Sequence, residues 1–546
     1  MGTLAARFGE MKNNSQEEDS MRHTTLKKLF AGAALLTLLS TSALADQVWN
    51  RGENSDVQSL DPHKTSTIEE ANIIGDLFTG LIAVDAEGNT IPGAAESWTV
   101  SPDGKKYVFK LRKDGQWSDG SPVTADDFVF AWQRVLDPKT ASEYASMAFP
   151  VLNAEELNAG KAKPEDLGVK AIDANTLEVT LKGPTPYFLE MLTHQAMYPV
   201  SKANVTKLGD DFVKPGNLVS NGAFTLAENV PNDHIKLVKN PKFFDAATVK
   251  LDAVNYIPTE DRAAGIKRYQ AGEIDSMNDM PTEQLSDLKA KFGDQIHLTP
   301  ELGTYYYVFK TTKKPWDNVE LRNAISMVID RDELATKVWQ NSMLPAFSMV
   351  PPGAKGYSPS FMAYADMPQL DREDAAKKIF DKLGISPAHP QKLEIRYNTS
   401  ENHKNTAVAI QEMLKPFGFD VSLVNSDGKT HYSYLEQHGD FDMARAGWIA
   451  DFKDPVTFLN LGHTGDGNNY AEYSNKDFDA LLDKAAVEAD PAARMKELSD
   501  AEAIYMKDIG ILPLLYYANH NVVSPKLHGF KDNVMDKHPS RFVSKE

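Results

Sequence analysis

Hydrophobic and polar positions along the chain follow two different periods. Apolar residues recur at every second position in YVFKLR (107–112), TLEVTLK (176–182) and YYYVFK (305–310), which predicts strands. Spacings of three and four positions predict amphipathic helices in TADDFVFAWQRVL (124–136), LRNAISMVIDRDELATKVW (321–339) and NKDFDALLDKAAVE (475–488). Strand-like and helix-like segments alternate along the chain, so the pattern predicts an α/β or α+β class with mixed sheets.

The segment ARAGWIADF (444–452) has the composition of a buried strand but contains two opposite charges. Side chains alternate along a strand, so we expect Arg445, Gly447, Ile449 and Asp451 to face the same way. Six residues at ~3.3 Å each separate the two charges by up to roughly 20 Å, too far for an easy salt bridge. Either each charge pairs with a different neighbour, or a zwitterionic group lies between them.

The length of the chain and the pattern of residues 291–309 indicate more than one lobe. The chain has 546 residues, 42% of them hydrophobic, which is enough for a large core and several domains. KFGDQIHLTPELGTYYYVF (291–309) contains two strand-like runs on either side of Pro300 and Gly303. Because Pro and Gly interrupt regular strands, we expect a lobe boundary there.

The N-terminal region predicts export. After Met21 come basic residues, the apolar run 29–39 and the small-residue motif Ala-Leu-Ala at 43–45. These three features define a secretory signal peptide, predicted at residues 21–45 and cleaved after Ala45. Residues 1–20 are polar, and we expect either a disordered extension or a start placed too early.

Charge and cysteine content narrow the setting of the exported protein. The net charge of −19 argues against nucleic acid or an anionic membrane as the main partner. The chain has no cysteine, so it has neither disulfides nor the cysteine-linked lipid of a lipoprotein. We therefore expect a soluble protein of a Gram-negative periplasm.

Enzyme motifs are missing from the sequence. There is no nucleophile elbow, no zinc-protease helix and no phosphate-binding loop, and the histidines lack metal-ligand spacing. GHTGDG (462–467) has the wrong spacing for a phosphate loop, so we expect a plain loop. We predict no catalytic residue, no metal and no cofactor.

Longer motifs resemble a known family. They are SLDPHK (59–64), GLIAVDAEGNTIPGAAESW (80–98), WSDGSPVTADDFVFAWQRVLDPKTASEYAS (117–146), SNGAFTL (220–226), ELGTYYYVF (301–309), YNTSENHK (397–404) and ARAGWIADFKDPVTFLN (444–460). In this order they resemble the periplasmic oligopeptide-binding proteins of peptide ABC importers, solute-binding protein family 5, in the subgroup that also binds murein tripeptide. The resemblance covers essentially the whole chain after residue 45.

The resemblance implies a large bilobal periplasmic-binding-protein fold (type II, cluster C) of the α/β class, with an inserted domain and a hinged cleft. Lobe I would comprise residues 46–79, 203–302 and 519–546. Domain II would be residues 80–202, and lobe III residues 303–518. The lobes would close over an extended short peptide and deliver it to an inner-membrane permease, with the protein acting as a monomer.

The resemblance also implies site residues. Asp451 matches the carboxylate that pairs with the peptide α-ammonium, whereas Arg445 and His403 match groups that neutralise its α-carboxylate. The remaining matched cleft positions are Thr67, Ile68, Tyr144, Asn278, Tyr306, Gly447, Trp448, Ile449 and Tyr517. The backbone of 447–449 would bond to the peptide main chain by strand addition.

Several positions depart from the family pattern. A cysteine pair expected at Gly303 and Ile449 is missing, and an expected acidic residue is Ser66. Glu436 and Trp339 occupy positions that are basic in the family, and a tryptophan expected near Gly428 is missing. Less positive charge at the carboxylate end favours a narrow length range, so we expect tripeptides to bind best.

Three alternatives remain open at this point. The same fold could bind one dedicated ligand, such as a murein peptide, haem, a metal chelate or an amine-bearing metabolite. A different class is an exported hydrolase, which would need a nucleophile or metal that the sequence does not offer. A chaperone or host-interaction role has no specific support in the sequence.

Overall fold

The computed structural model describes residues 47–65, 67–278, 280–281, 284–354 and 356–546, with Lys429 described for its backbone only. The predicted signal peptide, residues 1–20 and Ser66 lie outside the described residues.

Strands and helices alternate along the described chain. The strands are β1 (Val48–Glu53), β2 (Ile82–Val84), β3 (Thr90–Pro92), β4 (Ala95–Val100), β5 (Lys106–Leu111), β6 (Val169–Asp173), β7 (Thr176–Thr180), β8 (Phe224–Val230), β9 (His234–Lys239), β10 (Ala253–Pro258), β11 (Ser276–Met277), β12 (Ile296–Phe309), β13 (Leu344–Pro345), β14 (Gln391–Asn398), β15 (Phe419–Ser426), β16 (Met443–Ile449), β17 (Leu512–Val523), β18 (Leu527–His528) and β19 (Ser544–Lys545). The α-helices are α1 (Ile68–Leu77), α2 (Ala125–Leu136), α3 (Ala154–Asn158), α4 (Phe188–Met191), α5 (Lys202–Leu208), α6 (Arg262–Ala271), α7 (Leu285–Phe292), α8 (Val319–Val328), α9 (Arg331–Glu333), α10 (Gln369–Leu383), α11 (Glu401–Leu414), α12 (Gly428–Glu436), α13 (Val456–Leu459), α14 (Lys476–Val487) and α15 (Pro491–Asp508).

Most strands belong to one large mixed sheet. Its order is β15-β14-β16-β12-β17-β11-β1-β10-β9-β8, with β13 also pairing with β17. The pairs β1–β10, β1–β11, β14–β15 and β14–β16 are parallel, and the other pairs of this sheet are antiparallel. A separate antiparallel sheet has the order β4-β5-β7-β6. The mixed α/β class predicted from the sequence is confirmed.

The strands β12 and β17 connect the two halves of the large sheet. β12 pairs with β17 from Ile296 to Pro300 and again from Thr304 to Tyr307, with a register shift between. The two strand-like runs on either side of Pro300 and Gly303 form one continuous strand, and the register shift lies between them. The irregular pairing accommodates the missing proline N–H without ending the strand.

Helix predictions are confirmed where capping signals coincide with the apolar period. α2 begins after Thr124, which forms a capping box with Asp127, and α14 begins after Asn475, whose side chain caps two backbone N–H groups. The single helix predicted for 321–339 is wrong, because the backbone is extended at Ile329 and a new helix starts after Asp330. This break turns Arg331 into the core, where it donates to backbone carbonyls.

The strand β16 corrects the expected orientation of Asp451. Its antiparallel register with β12 places Arg445 opposite Tyr307, Gly447 opposite Tyr305 and Ile449 opposite Gly303. Arg445, Gly447 and Ile449 therefore share one face of the sheet, as predicted. The strand ends at Ile449, and Asp451 lies in a bend beyond it, so strand parity does not orient Asp451.

Candidate functional site

A cavity lies beyond the C-terminal end of β16. It has a volume of about 220 Å³, and we call it the Asp451 cavity. The predicted site residues that line it are Thr67, Ile68, Tyr144, Ile449 and Asp451. The C-terminal segment 535–539 forms another part of its wall. Positions far apart in the sequence, including representatives of all three predicted regions, thus meet around one space.

Asp451 is a partly buried carboxylate with few partners. Burial raises the pKa of Asp451 to about 6, although nearby Lys537 and a hydrogen bond from Tyr144 act to lower it. The pKa of Tyr144 is raised to about 12 by burial and by Asp451, so its hydroxyl stays protonated and donates. The carboxylate is charged at neutral pH, and a cation in the cavity would stabilise it further.

Thr67 and Ile68 present the start of α1 to the same cavity. Thr67 caps the helix by accepting a hydrogen bond from the Glu70 N–H at 3.3 Å, and its own N–H donates to Glu70 Oε2 at 3.1 Å. This cap fixes the first turn, where the Ile68 side chain is 51% exposed. An apolar side chain there can pack against a ligand.

The ring of Tyr144 packs at a tilt against a neutral histidine. Tyr144 precedes a short 3-10 turn (Ala145–Ala148), and its ring centroid lies 4.5 Å from that of His194. Burial, with a contribution from Lys537, lowers the pKa of His194 to about 3, so the imidazole is uncharged at neutral pH. Of Tyr144, His194 and Lys537, it is therefore Lys537 that brings a charge near Asp451.

Arg445 is buried in the middle of the sheet without an acidic partner. Its Nη1 donates to Asn398 Oδ1 at 3.1 Å and to Tyr432 Oη at 2.8 Å, and its Nη2 donates to Tyr517 Oη at 2.8 Å. The guanidinium carbon lies 4.7 Å from the centroid of the Tyr305 ring. Within the described residues Arg445 forms no ion pair, and its Nε has no hydrogen-bond partner. A buried guanidinium without an acidic partner is suited to bind a carboxylate.

Glycines make room for this arrangement. A Cβ added at Gly447 would lie 2.6 Å from Tyr517 Oη and 3.1 Å from Arg445 Nη2. A Cβ added at Gly303 would lie 2.8 Å from the Tyr517 ring. The phenol of Tyr517 thus lies across two positions that only glycine can occupy without displacing it.

His403 lies next to the Arg445 side chain but is not a cation. It sits in the first turn of α11, and Tyr305 Oη lies 3.3 Å from its Nδ1. Burial lowers the pKa of His403 to about 3, with Arg445 and His431 adding to the effect. In the free protein His403 is therefore neutral, and it can accept or donate a hydrogen bond rather than supply charge.

One edge of β16 is open between these two charged groups. Along its other edge, β16 pairs with β12 as far as Ile449. On the open side β14 pairs with β16 only at Met443 and Ala444, and no described strand follows. The backbone from Gly447 to Ile449 therefore presents an unpaired strand edge, which can accept an extended chain by main-chain hydrogen bonds.

Three predicted site residues, Tyr306, Trp448 and Asn278, lie apart from both the Arg445 side chain and the Asp451 cavity. Alternation along β12 and β16 places Tyr306 and Trp448 on the sheet face opposite to Arg445, and Tyr306 is only 1% exposed. Trp448 Nε1 donates to Thr457 Oγ1 at 3.0 Å. Asn278 donates to Glu53 Oε2 at 3.1 Å and does not line the Asp451 cavity.

The structure also locates the positions that depart from the family pattern. Gly303 and Ile449 are direct cross-strand neighbours. Trp339 is buried beside His403, with ring centroids 6.3 Å apart, and its Nε1 donates to Thr406. Glu436 is exposed at the end of α12, and Gly428 begins that helix.

Sequence reasoning missed Lys537, Asn398 and Tyr432. Asn398 and Tyr432 hold Arg445, and Lys537 lines the Asp451 cavity. No local pattern marks Lys537, because it reaches Asp451 only through the fold. Asn398 could have been suspected, since it is the second residue of the motif YNTSENHK (397–404), which also contains His403.

Neither a metal-ligand cluster nor a membrane-spanning helix is present in the part of the chain that the structure describes. No group of three or more potential ligand side chains could hold a metal ion there. No helix in the same residues is long and apolar enough to cross a membrane.

The fold and site together define an extracytoplasmic solute-binding protein. The family model for bacterial extracellular solute-binding proteins, family 5 (middle), matches residues 89–470. The chain belongs to this family, as the sequence motifs predict.

Individual relatives support the assignment. The periplasmic oligopeptide-binding protein OppA of Salmonella typhimurium (strain LT2) is 40% identical over 529 residues, covering 93% of this chain and 96% of that protein. The probable deoxycholate-binding periplasmic protein YgiS of Escherichia coli (strain K12) is 36% identical over 494 residues, covering 90% and 92%. Among solved structures, the unliganded open form of the periplasmic murein tripeptide-binding protein MppA has a TM-score of 0.82 at 37% identity, covering 92% of this chain and 98% of that one. The predicted bilobal binding-protein fold is confirmed.

Proposed function

We propose that this chain is the periplasmic binding component of an ABC importer that captures short peptides in extended form. The observation that carries the proposal is the open edge of β16, with Arg445 near one end and Asp451 beyond the other. A peptide with its ammonium at Asp451 and its carboxylate at Arg445 would run antiparallel to β16. Names of the relatives, which include oligopeptide- and murein tripeptide-binding proteins, support this choice.

Each peptide terminus has a complementary group. Asp451 is a partly buried carboxylate whose pKa is raised by burial, so an α-ammonium would restore the stabilisation that water provides elsewhere. Arg445 is a buried guanidinium without an acidic partner among the described residues, so an α-carboxylate would complete it. Main-chain bonds along Gly447–Ile449 would add affinity that does not depend on the peptide side chains.

The spacing of the two ends favours tripeptides. Arg445 and Asp451 are separated by at most roughly 20 Å of chain, and their side chains can reach inward towards an extended tripeptide, which spans on the order of 10 Å. Trp339 fills space beside His403 with an apolar ring, and Glu436 offers no positive charge. Longer peptides would therefore lack a cation for their carboxylate beyond Arg445.

Export and delivery complete the proposal. The signal peptide would be removed after Ala45, and the mature monomer would work in the periplasm. The predicted regions (lobe I, 46–79, 203–302 and 519–546; domain II, 80–202; lobe III, 303–518) would close around the peptide. The irregular pairing between Pro300 and Thr304 is our candidate hinge, since β12 and β17 join the two halves of the sheet. A permease that prefers the closed form would then accept the peptide.

A dedicated ligand is the second candidate. One relative, YgiS, is named as a probable deoxycholate-binding protein, and deoxycholate is an acid without an amine. The names of the relatives therefore include a ligand that is not a peptide. Arg445 could hold such an acid, but Asp451 would then have no cation to bind. The anionic end of the site is the observation that favours an amine-bearing ligand.

Isothermal titration with trialanine and its blocked forms tests the proposal. We expect N-acetyl-trialanine and trialanine amide each to bind at least tenfold more weakly than trialanine, because each lacks one charged terminus. Asp451→Asn should weaken trialanine binding while leaving the N-acetyl form nearly unchanged. Asp420→Asn, at an exposed position of β15, is the matched control. Equal binding of trialanine and its N-acetyl form would overturn the proposal.

A further inference from the structure

Lys537 presents a cation to the Asp451 cavity. It belongs to the C-terminal segment 535–539, and its backbone is fixed by hydrogen bonds with the Asn533 side chain. The Lys537 ammonium itself forms no ion pair and no hydrogen bond within the described residues. A polar group that lines a cavity in this way is available to a ligand.

The neighbouring charges do not neutralise Lys537 by contact. Burial is the largest influence on its pKa, which is lowered, while Asp451 and Glu190 act in the opposite direction from a distance. The three other carboxylates of the cavity wall, Asp76, Glu301 and Asp536, are already engaged. Asp76 accepts from Tyr256 Oη at 2.7 Å, and Asp536 lies 2.8 Å from His538 Nε2.

A second cation reinforces the positive side of the cavity. Arg541 also lines it and forms no ion pair with a described carboxylate. Its guanidinium carbon lies over two aromatic rings, 4.5 Å from the centroid of Phe542 and 5.8 Å from that of Phe243. The cavity therefore combines the carboxylate of Asp451 with two cations that the protein does not pair by contact.

An internal counter-ion for Asp451 is the simpler explanation of Lys537. That role would place the ammonium in contact with the carboxylate, as in the pair of Arg494 and Asp454 at 2.7 Å. Lys537 and Asp451 instead line the same cavity as separate charges. Their arrangement is complementary to a ligand group that carries both an ammonium and a nearby anion.

We propose that Lys537 binds a carboxylate on the first residue of the peptide, so that the protein favours peptides beginning with Asp or Glu. The proposal rests on the peptide-binding function above, since Asp451 would hold the ammonium of the same residue. With a neutral first side chain, Lys537 would repel the ammonium that Asp451 holds, and no group of the peptide would offset this repulsion. A basic first side chain would add a further repulsion, so it would be disfavoured most.

Titration calorimetry with Glu-Ala-Ala, Gln-Ala-Ala and Lys-Ala-Ala tests the proposal. Glu and Gln have nearly the same shape, so their comparison isolates the charge. We expect Glu-Ala-Ala to bind at least tenfold more tightly than Gln-Ala-Ala, and Lys-Ala-Ala to bind most weakly. In Lys537→Gln the first two peptides should bind within about twofold of each other.

Controls separate the possible failures. Lys531→Gln changes an exposed lysine of the same segment and should keep the wild-type preference. Lys537→Arg retains the charge and should also keep it, which guards against a folding defect in the Gln variant. Equal binding of the three peptides to the wild type, or a preference that survives in Lys537→Gln, would overturn this inference alone. Failure of all three peptides to bind would overturn the peptide-binding proposal as well.

Discussion

Arg445 and Tyr517 are joined by a hydrogen bond of 2.8 Å that passes directly over Gly447. The missing side chain of Gly447 is what lets the phenol reach the guanidinium. Tyr517 belongs to β17, which pairs with β12, and Arg445 belongs to β16, which also pairs with β12. The orientation of Arg445, at the carboxylate end of the site, therefore depends on three strands.

Gly447→Ala should disturb this end of the site. The added methyl group would lie 2.6 Å from Tyr517 Oη, so Tyr517 or Arg445 must move. We expect a loss of about 1–3 kcal/mol in the free energy of unfolding and weaker binding of trialanine, measured by chemical denaturation and calorimetry. Gly428→Ala, where nothing lies within 4 Å of an added Cβ, is the matched control. Unchanged stability and affinity in Gly447→Ala would contradict the packing described.

Arg445 and His403 should differ strongly in importance. Arg445 carries the charge, whereas burial lowers the pKa of His403 to about 3 and keeps it neutral. Arg445→Gln should cost about 2–5 kcal/mol of trialanine binding free energy, but His403→Gln about 0.5–1.5 kcal/mol, the value of a neutral hydrogen bond. Calorimetry with trialanine and its amide measures both. A larger loss in His403→Gln than in Arg445→Gln would show that the carboxylate lies elsewhere.

Peptide affinity should fall in mild acid. The pKa of Asp451 in the free protein is about 6, and a bound ammonium would lower it, so binding releases a proton where Asp451 is protonated. Affinity should be highest near pH 7 and fall about tenfold per unit below pH 6, and it should also begin to fall towards pH 8, where the α-ammonium of the free peptide starts to lose its proton. A bound carboxylate next to His403 would raise the pKa of His403, which would strengthen binding in acid. The fall in affinity therefore comes from Asp451, and Asp451→Asn should remove it. Titrations from pH 5 to 8 in two buffers of different ionisation enthalpy would count the protons.

Tyr144 should influence Asp451 through its hydrogen bond. The hydroxyl donates to the carboxylate and helps to lower a pKa that burial has raised. In Tyr144→Phe the pKa of Asp451 should rise above about 6, so the fall in affinity should begin at higher pH. At pH 8 the loss should be modest, about the 0.5–1.5 kcal/mol of one hydrogen bond. A uniform loss at every pH would mean that the ring, and not the hydroxyl, acts on the ligand.

The sequence predicts regular elements well where local signals agree. Thr124 and Asn475 cap helices whose apolar spacing continues behind them, and both helices are present as predicted. The 321–339 segment keeps its apolar spacing across Ile329, so the period alone conceals the break there. Asp330, which caps the next helix, was the local signal that could have revealed it.

The site is less predictable because its charges come from distant segments. Arg445 and Ile449 could be assigned to one face of a strand from alternation alone, and the structure confirms this. Asp451 escapes the same argument because the strand ends two residues earlier. Lys537 comes to Asp451 only through the packing of the C-terminal segment, which no local period encodes.

Native mass spectrometry of the protein from a periplasmic extract tests the central claim most directly. The account predicts extra masses that match short peptides, mainly tripeptides, which disappear on denaturation and are depleted in Asp451→Asn. Tandem spectra of the released ligands would give their first residues. A bound ligand without an amino group, or ligands retained equally by Asp451→Asn, would contradict the account.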